Sequence, residues 1–451
     1  MIAKDNPNPR ANIALLCKYR FFFYAFESVY ENLDHVEFVI DFSGMVAEQS
    51  YPEEYKEKTR QFFQKKGVYW RDPELSDLST AEFFSKYAIL VTPFYGGLLK
   101  NPCNKNKKKV QIQYGISKES WAYGLHNAYI DLQLCAGPHS AENFKLYGSK
   151  IVATGEPKHD RFFSIKSKED IIEELGLRLD AQKETLLYLP TWGSLSSVLI
   201  GVPALIQLSN EYNIVIKIHH MTALYETEER MLIENSSLQI IDETTSVMDA
   251  LKIADVVISD NSSAIFDAVV TKKRLVLIDN LGESKEKFFV ETLFFTSTEQ
   301  GNPTGSRSHP ESIEQTIKQR GKELAPVVRH DCYSSSVLDV VALRDALDHS
   351  GDKKYIERQQ EISKKLFSHF DGFAGKRAAE EINELIVDHS SRDKTLERMV
   401  DEFEQRTKTE QGDFIKRANK ELQYYKNIKK LPFLKKWRVI ANEFFSDKIL
   451  P

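Results

Sequence analysis

The chain opens on alternating apolar and mixed segments. Asn12 to Cys17 is a short apolar run that predicts a strand, and Phe23 to Leu33 follows as a helix. Val36 to Phe42 predicts a second strand, Pro52 to Lys66 a polar helix, Tyr87 to Thr92 a third strand and Lys109 to Gln113 a fourth. Tyr129 to Ala136 and Lys150 to Thr154 continue the series up to a Gly-Pro break at Gly155-Glu156-Pro157. A second alternating series then begins near Thr185. Leu186 to Leu189 predicts a strand, Val202 to Asn210 a helix, Asn213 to Ile218 a strand and Leu238 to Ile241 a short strand. Ser246 to Ile253 predicts a helix, with strands at Ala254 to Ser259 and Arg274 to Ile278. Strands that alternate with helices imply parallel sheets covered on both faces.

Two such series predict an α/β protein of two Rossmann-like domains facing a central cleft. Residues 1–160 form the first, 161–388 the second, and 389–451 a helical extension. In open α/β sheets ligands bind at the carboxyl ends of strands. The polar residues Thr191, His219, Asp260 and Ser262 fall at those predicted ends.

From about Asp331 the pattern turns helical, with amphipathic stretches at Lys353 to His369 and Gly375 to Val387. Ser390 to Gln411 is strongly charged, with Leu396, Met399 and Phe403 on one face. Ile415 to Ile440 carries nine basic residues against Glu421, interleaved with Tyr424, Tyr425, Phe433 and Trp437. Such a stretch either lies on an anionic membrane surface or packs as a tail on the body or on a second subunit. The sequence leaves both open.

Composition narrows the class. The 451 residues are 41% hydrophobic, enough for two large cores, and the net charge of -5 argues against general nucleic-acid binding. Cys17, Cys103, Cys135 and Cys332 are scattered without a CxxC pair, which fits reduced cytoplasmic thiols rather than a disulfide framework or zinc site. Lys18 and Arg20 interrupt the first apolar run, so no signal peptide is expected. No run reaches the roughly 18 apolar residues of a membrane span. The expected location is the cytoplasm, with peripheral attachment to the inner membrane face if the basic stretch binds lipid.

The chemistry centres on Asp260-Asn261-Ser262-Ser263, between a buried strand and a helix containing Phe266 and Asp267. A strand that turns into a helix here offers capping side chains and free backbone N–H groups, a setting that favours phosphate. Taken alone, the turn also reads as a plain helix cap. Lys217 and His219 are two apart at a strand end and so share a face, where they suit a phosphate. Thr191 suits a phosphate hydrogen bond and Trp192 a base or sugar; equally, they suit a tight turn with a core Trp. Gly155 to Asp160 reads as a hinge turn. Gln113-Tyr114-Gly115 ends a first-half strand, where Gly lets backbone approach a ligand, and Lys105, Lys107, Lys108 and Lys109 precede it.

In order, these pieces resemble the CDP-glycerol glycerophosphotransferase family of teichoic-acid and capsule polymer transferases. The matching stretches are Gly155-Glu156-Pro157-Lys158-His159-Asp160 (G-Y-P-R-x-D), Leu189-Pro190-Thr191-Trp192 (A-P-T-W) and Lys217-Ile218-His219 (K-x-H-P). Ile258 to Asp267 matches I-S-D-Y-S-S-x-x-F-D, and Asp371-Gly372 with Arg377 matches D-G-x-x-x-x-R. The resemblance spans roughly residues 110 to 390 and implies a GT-B fold, with the nucleotide donor held mainly by the second domain. It implies transfer of an alditol phosphate from a CDP-alditol to a hydroxyl of a glycan or lipid-linked acceptor, with release of CMP.

In family terms His219 is catalytic and acts on the donor phosphates. Thr191, Trp192, Lys217, Asp260, Ser262, Ser263 and Asp267 bind the donor. No Asp-x-Asp pair lies near the site, so neither a metal nor a cofactor beyond the nucleotide donor is expected. The family's W-H-G histidine, the expected base on the acceptor, aligns with Tyr114, the second catalytic candidate. A phenol near pKa 10 is a poor base at neutrality. Either His126, His139 or another group takes that role, or the acceptor and chemistry differ. His220 stands in place of the family Pro, and Gly193 in place of an Arg. Two other classes stay open: a GT-B glycosyltransferase using a nucleotide sugar, and a non-catalytic relative.

Overall fold

The computed structural model describes residues 5–43, 51–93, 97–116, 123, 125–193, 196–260, 262–278 and 340–387. The extension at 389–451, with its basic stretch, lies outside the described residues, as do Asn261 and Cys332.

The first sheet is built from β1 Ile13–Cys17, β2 Val36–Ile40, β3 Trp70–Arg71, β4 Ile89–Thr92, β5 Lys108–Ile112, β6 Leu132–Cys135 and β7 Lys150–Ala153, in the order β3-β2-β1-β4-β5-β6-β7. Every strand pairing in it is parallel. The second sheet is built from β8 Thr185–Leu189, β9 Asn213–Lys217, β10 Gln239–Ile241, β11 Val256–Ser259 and β12 Arg274–Leu277, also parallel, in the order β10-β9-β8-β11-β12. The central strands β1 and β8 are buried at all five positions. That burial explains their continuous apolar runs, because helices cover both faces of a parallel sheet. Strand order reverses direction between β1 and β4, and again between β8 and β11. Each reversal opens a crevice at the carboxyl ends of its strands.

The predicted strands are all present, most of them a residue or two shorter than their apolar runs. The two-residue β3 and the helices Thr80–Phe84, Pro138–Phe144 and Lys168–Glu174 have too few periodic positions to announce themselves. The helix predicted from Val202 starts at Val198 and carries Pro203 inside it, although Pro normally marks a first turn. Among the described residues no helix is long and apolar enough to cross a membrane.

Within the stretch assigned from sequence to the second domain, the helix Ala374–Val387 returns to the first. Ala378, Ala379, Ile382 and Leu385 join the core formed by β1, β2 and the helix Phe23–Tyr30. Its start is capped by Asp160, which accepts hydrogen bonds from the N–H groups of Ala374 (2.9 Å) and Gly375 (2.6 Å). Arg377 clasps Asp371 and donates to the Thr154 carbonyl at 2.9 Å. The separated sequence motifs at 155–160 and 371–377 thus meet in one crossover joint.

At Gly375 an added Cβ would strike Ser28 Oγ and approach the Ser28 carbonyl carbon to 2.6 Å. Gly375→Ala is therefore expected to force the two helices apart and cost about 1–3 kcal/mol. Thermal unfolding measures this; an unchanged midpoint would show that the contact yields freely.

Candidate functional site

Three neighbouring strand ends build one wall of the cleft. β8 lies between β9 and β11, so Thr191-Trp192, His219 and Asp260-Ser262 emerge side by side. Ser259 Oγ donates to the Leu189 carbonyl at 2.6 Å and ties β8 and β11 together at their ends. Asp260 is buried and accepts from Thr191 N–H (2.8 Å), Ser197 N–H (2.9 Å) and Ser197 Oγ (2.8 Å). Its carboxylate thereby braces the turn after β8. Ser262, one residue before the N-cap Ser263, accepts from the Ala264 N–H through its Oγ at 3.3 Å. Ser263 leads directly into the helix Ala264–Val270.

His219 is the N-cap of the helix His220–Tyr225, and its Nδ1 accepts the Met221 N–H at 3.2 Å. An Nδ1 that accepts carries no proton, so the neutral ring holds its proton on Nε2 and presents that nitrogen as a donor. The Trp192 ring stacks against His219, with centroids 6.3 Å apart and planes 20° apart. Glu226 links the same two turns by accepting from Gly193 N–H and, at 2.6 Å, from Thr222 Oγ1. Gly193 has φ +70°, a left-handed conformation that suits Gly. Lys217 donates to the Asp242 carbonyl at 3.2 Å, on the loop after β10. Burial pulls its ammonium down to about 8, against the attraction of Asp242 and Glu243.

The first half supplies the facing wall. A Cβ at Gly115 would sit 3.6 Å from Ser263, so the end of β5 abuts the serine turn. The Tyr114 ring lies 5.4 Å from Phe21, and Phe21 lies 4.3 Å from the ring of His220. His220 is in turn 4.3 Å from His219. Contacts therefore run in a closed ring from Ser263 through Gly115, Tyr114, Phe21, His220, His219, Trp192 and Thr191 to Asp260. Arg20 pairs with Glu243, and the Tyr24 hydroxyl donates to the Thr244 carbonyl at 2.8 Å, holding the halves together beside this ring.

Beneath it is a buried ionic cluster. Lys158 Nζ lies 2.8 Å from Asp267 and 2.9 Å from Glu156, and His159 Nε2 lies 2.8 Å from Asp267. The Lys158 ammonium also sits 4.7 Å from the centre of the Tyr114 ring. Burial opposes charge on Lys158, but Asp267 and Glu156 outweigh it and raise the ammonium's pKa. Burial likewise opposes charge on Asp267, yet Lys158 and His159 hold its carboxyl below the ordinary range. Glu156, His159 and Asp267 bring ligand atoms within 4.8 Å of one another, a geometry able to hold a metal ion. Here Lys158 supplies the positive charge among them. Burial pushes the Tyr114 phenol up, with Lys158 opposing.

Residues 105–279 match the family described as CDP-glycerol:poly(glycerophosphate) glycerophosphotransferase. That match spans the β5 end, the crossover turn, Thr191-Trp192, His219 and the serine turn. Over this stretch the chain is similar to the CDP-glycerol glycerophosphotransferase family. It is a glycerophosphotransferase-like transferase. Its structure is similar to that of a variant of the wall teichoic acid polymerase TagF soaked with CDPG, at 15% identity and a TM-score of 0.52, covering 84% of this chain and 90% of that one. A second TagF variant aligns at 14% identity and 0.51, with the same coverage. At such identity the likeness speaks to the fold, which is GT-B. No curated protein matches the sequence.

Of the sequence-nominated residues, Thr191, Trp192, His219, Asp260, Ser263 and Tyr114 come together on the ring, with Ser262 between Asp260 and Ser263. Asp267 lies in the ionic cluster, and Lys217 is directed at the β10 loop. His126 and His139 approach Asn127 and Asn143, in the segments around β6. Pattern reading overlooked Phe21, Glu226 and Ser197. It also read Lys158 and His159 as part of a hinge, because their partner Asp267 is more than 100 residues away.

Proposed function

We propose that this chain transfers a glycerol or ribitol phosphate from a CDP-alditol to a hydroxyl of a cell-surface glycan or lipid-linked acceptor, releasing CMP. The observation that carries this reading is the closed ring at the β8/β11 crevice, where the family-matched turns supply His219, Trp192, Ser262 and Ser263. Phosphoryl transfer asks a protein mainly for positioning and charge stabilisation. The serine hydroxyls and the Nε2–H of His219 supply hydrogen bonds to the diphosphate, and these strengthen as charge moves onto the departing CMP. The Trp192 face suits the flat cytosine or the ribose. Lys217 and Asp267 serve this site through the β10 loop and through Lys158, and Asp260 holds the Thr191 turn in place.

Calorimetry with CMP, CDP-glycerol, UMP, UDP and GDP tests the assignment. Binding is expected for the cytidine ligands at affinities at least ten-fold above the others. Preference for UDP or GDP would overturn phosphotransfer in favour of a nucleotide-sugar glycosyltransferase.

A further inference from the structure

We infer that His220 is the general base that accepts the acceptor hydroxyl's proton. The inference rests on the transferase reading above and names the group that reading leaves open. An attacking hydroxyl must approach from the first-half side of the ring, opposite the donor turn. His220 stands at that boundary: its ring centre is 4.3 Å from that of Phe21 and 5.0 Å from that of Tyr19, both first-half residues. It is also 4.3 Å from His219, the donor-side imidazole. It begins the helix His220–Tyr225, whose N-cap bond between His219 and Met221 fixes the backbone that carries both rings.

The other ring residues are poorly suited to the task. His219 has its Nδ1 committed as an acceptor and shows a donor to the site. Burial pushes the Tyr114 phenol up, so it stays protonated. A neutral imidazole carries one ring nitrogen able to accept a proton. The titratable groups facing His220 in these contacts are His219 and Tyr19. Burial pushes the Tyr19 phenol up, so it adds no charge.

The step balances without a co-reactant. The acceptor O–H proton passes to a His220 ring nitrogen while the oxygen attacks the phosphorus that bears the alditol. The bond from that phosphorus to the bridging oxygen of CMP breaks, and CMP leaves with the electron pair, hydrogen-bonded by His219 Nε2–H. His220 then releases its proton to solvent.

The test compares wild type, His220→Ala and His220→Gln, with CDP-glycerol as donor and a synthetic glycolipid primed with glycerol phosphate as acceptor. Both variants are expected to keep the wild-type unfolding midpoint and CMP affinity within about two-fold, and to lose about 10²–10⁴-fold in kcat. Added imidazole is expected to restore part of the activity of His220→Ala, which a packing role would not allow. Wild-type-like kcat in either variant, or a kcat loss matched by lost CMP binding and no imidazole rescue, would overturn the assignment. Failure of the wild-type chain itself to bind CMP and turn over would instead overturn the transferase reading.

Discussion

Replacing His219 with alanine is expected to lower transfer by about two to three orders of magnitude while the fold survives. Two separable effects are removed. The Nε2–H donor is lost from the place where the leaving phosphate gathers charge, and such a donor is worth about 10²–10³ in kcat. The N-cap bond to Met221 is lost as well, at about 1 kcal/mol of stability. His219→Asn divides the two, because an Asn oxygen caps a helix well but cannot reproduce the imidazole donor. The Asn variant is expected to unfold at the wild-type midpoint and still to lose transfer. Full activity in both variants would remove His219 from the chemistry.

The second large effect concerns stability. Asp267→Ala strips the buried Lys158 and His159 of their shared carboxylate, leaving Lys158 with Glu156 alone. Breaking a buried pair from one side costs about 3–5 kcal/mol, because the remaining charge stays desolvated. The variant should show a clearly lower denaturant midpoint at pH 7. The pH dependence has a definite sign. Asp267 titrates lower in the folded state than in the unfolded state, despite burial, because Lys158 and His159 favour its charged form. Between those two values the unfolded chain binds more protons, so this stabilisation is complete above about pH 4 and is lost as the pH falls through the folded value. The gap between wild type and Asp267→Ala should therefore narrow below pH 4. A gap constant from pH 7 to pH 3 would contradict the ionic account.

The stability test also bears on function. Asp267 sits on the helix that begins at the serine turn, and Lys158 touches both Asp267 and the Tyr114 ring. The cluster joins the crossover turn, the helix after the serine turn and the first-half wall. Its partners lie on segments more than 100 residues apart in sequence, and no local pattern relates them. The hinge reading of Gly155 to Asp160 left these contacts out for that reason. Lys158, His159, Asp160 and Arg161 are anchoring residues, with Arg161 binding Glu27 in one half and Asp249 in the other.

What the sequence determined by itself is the scaffold. Buried parallel strands must be continuously apolar, and a chain that alternates such runs with helices has few ways to fold. The succession of strands along the chain and the polar residues at their carboxyl ends were legible because both are local properties. So were the turns after β8, β9 and β11, which carry family motifs. The tertiary structure alone decided which side chain serves which neighbour. Asp260 reads as a donor-binding residue of the serine turn, and its carboxylate braces the turn after β8. His220 reads as a departure from a motif yet meets Phe21 across the cleft. Ala374–Val387 follows the second half in sequence yet completes the core of the first. Each outcome depends on close packing between segments that the chain order keeps apart, and periodicity does not encode such contacts.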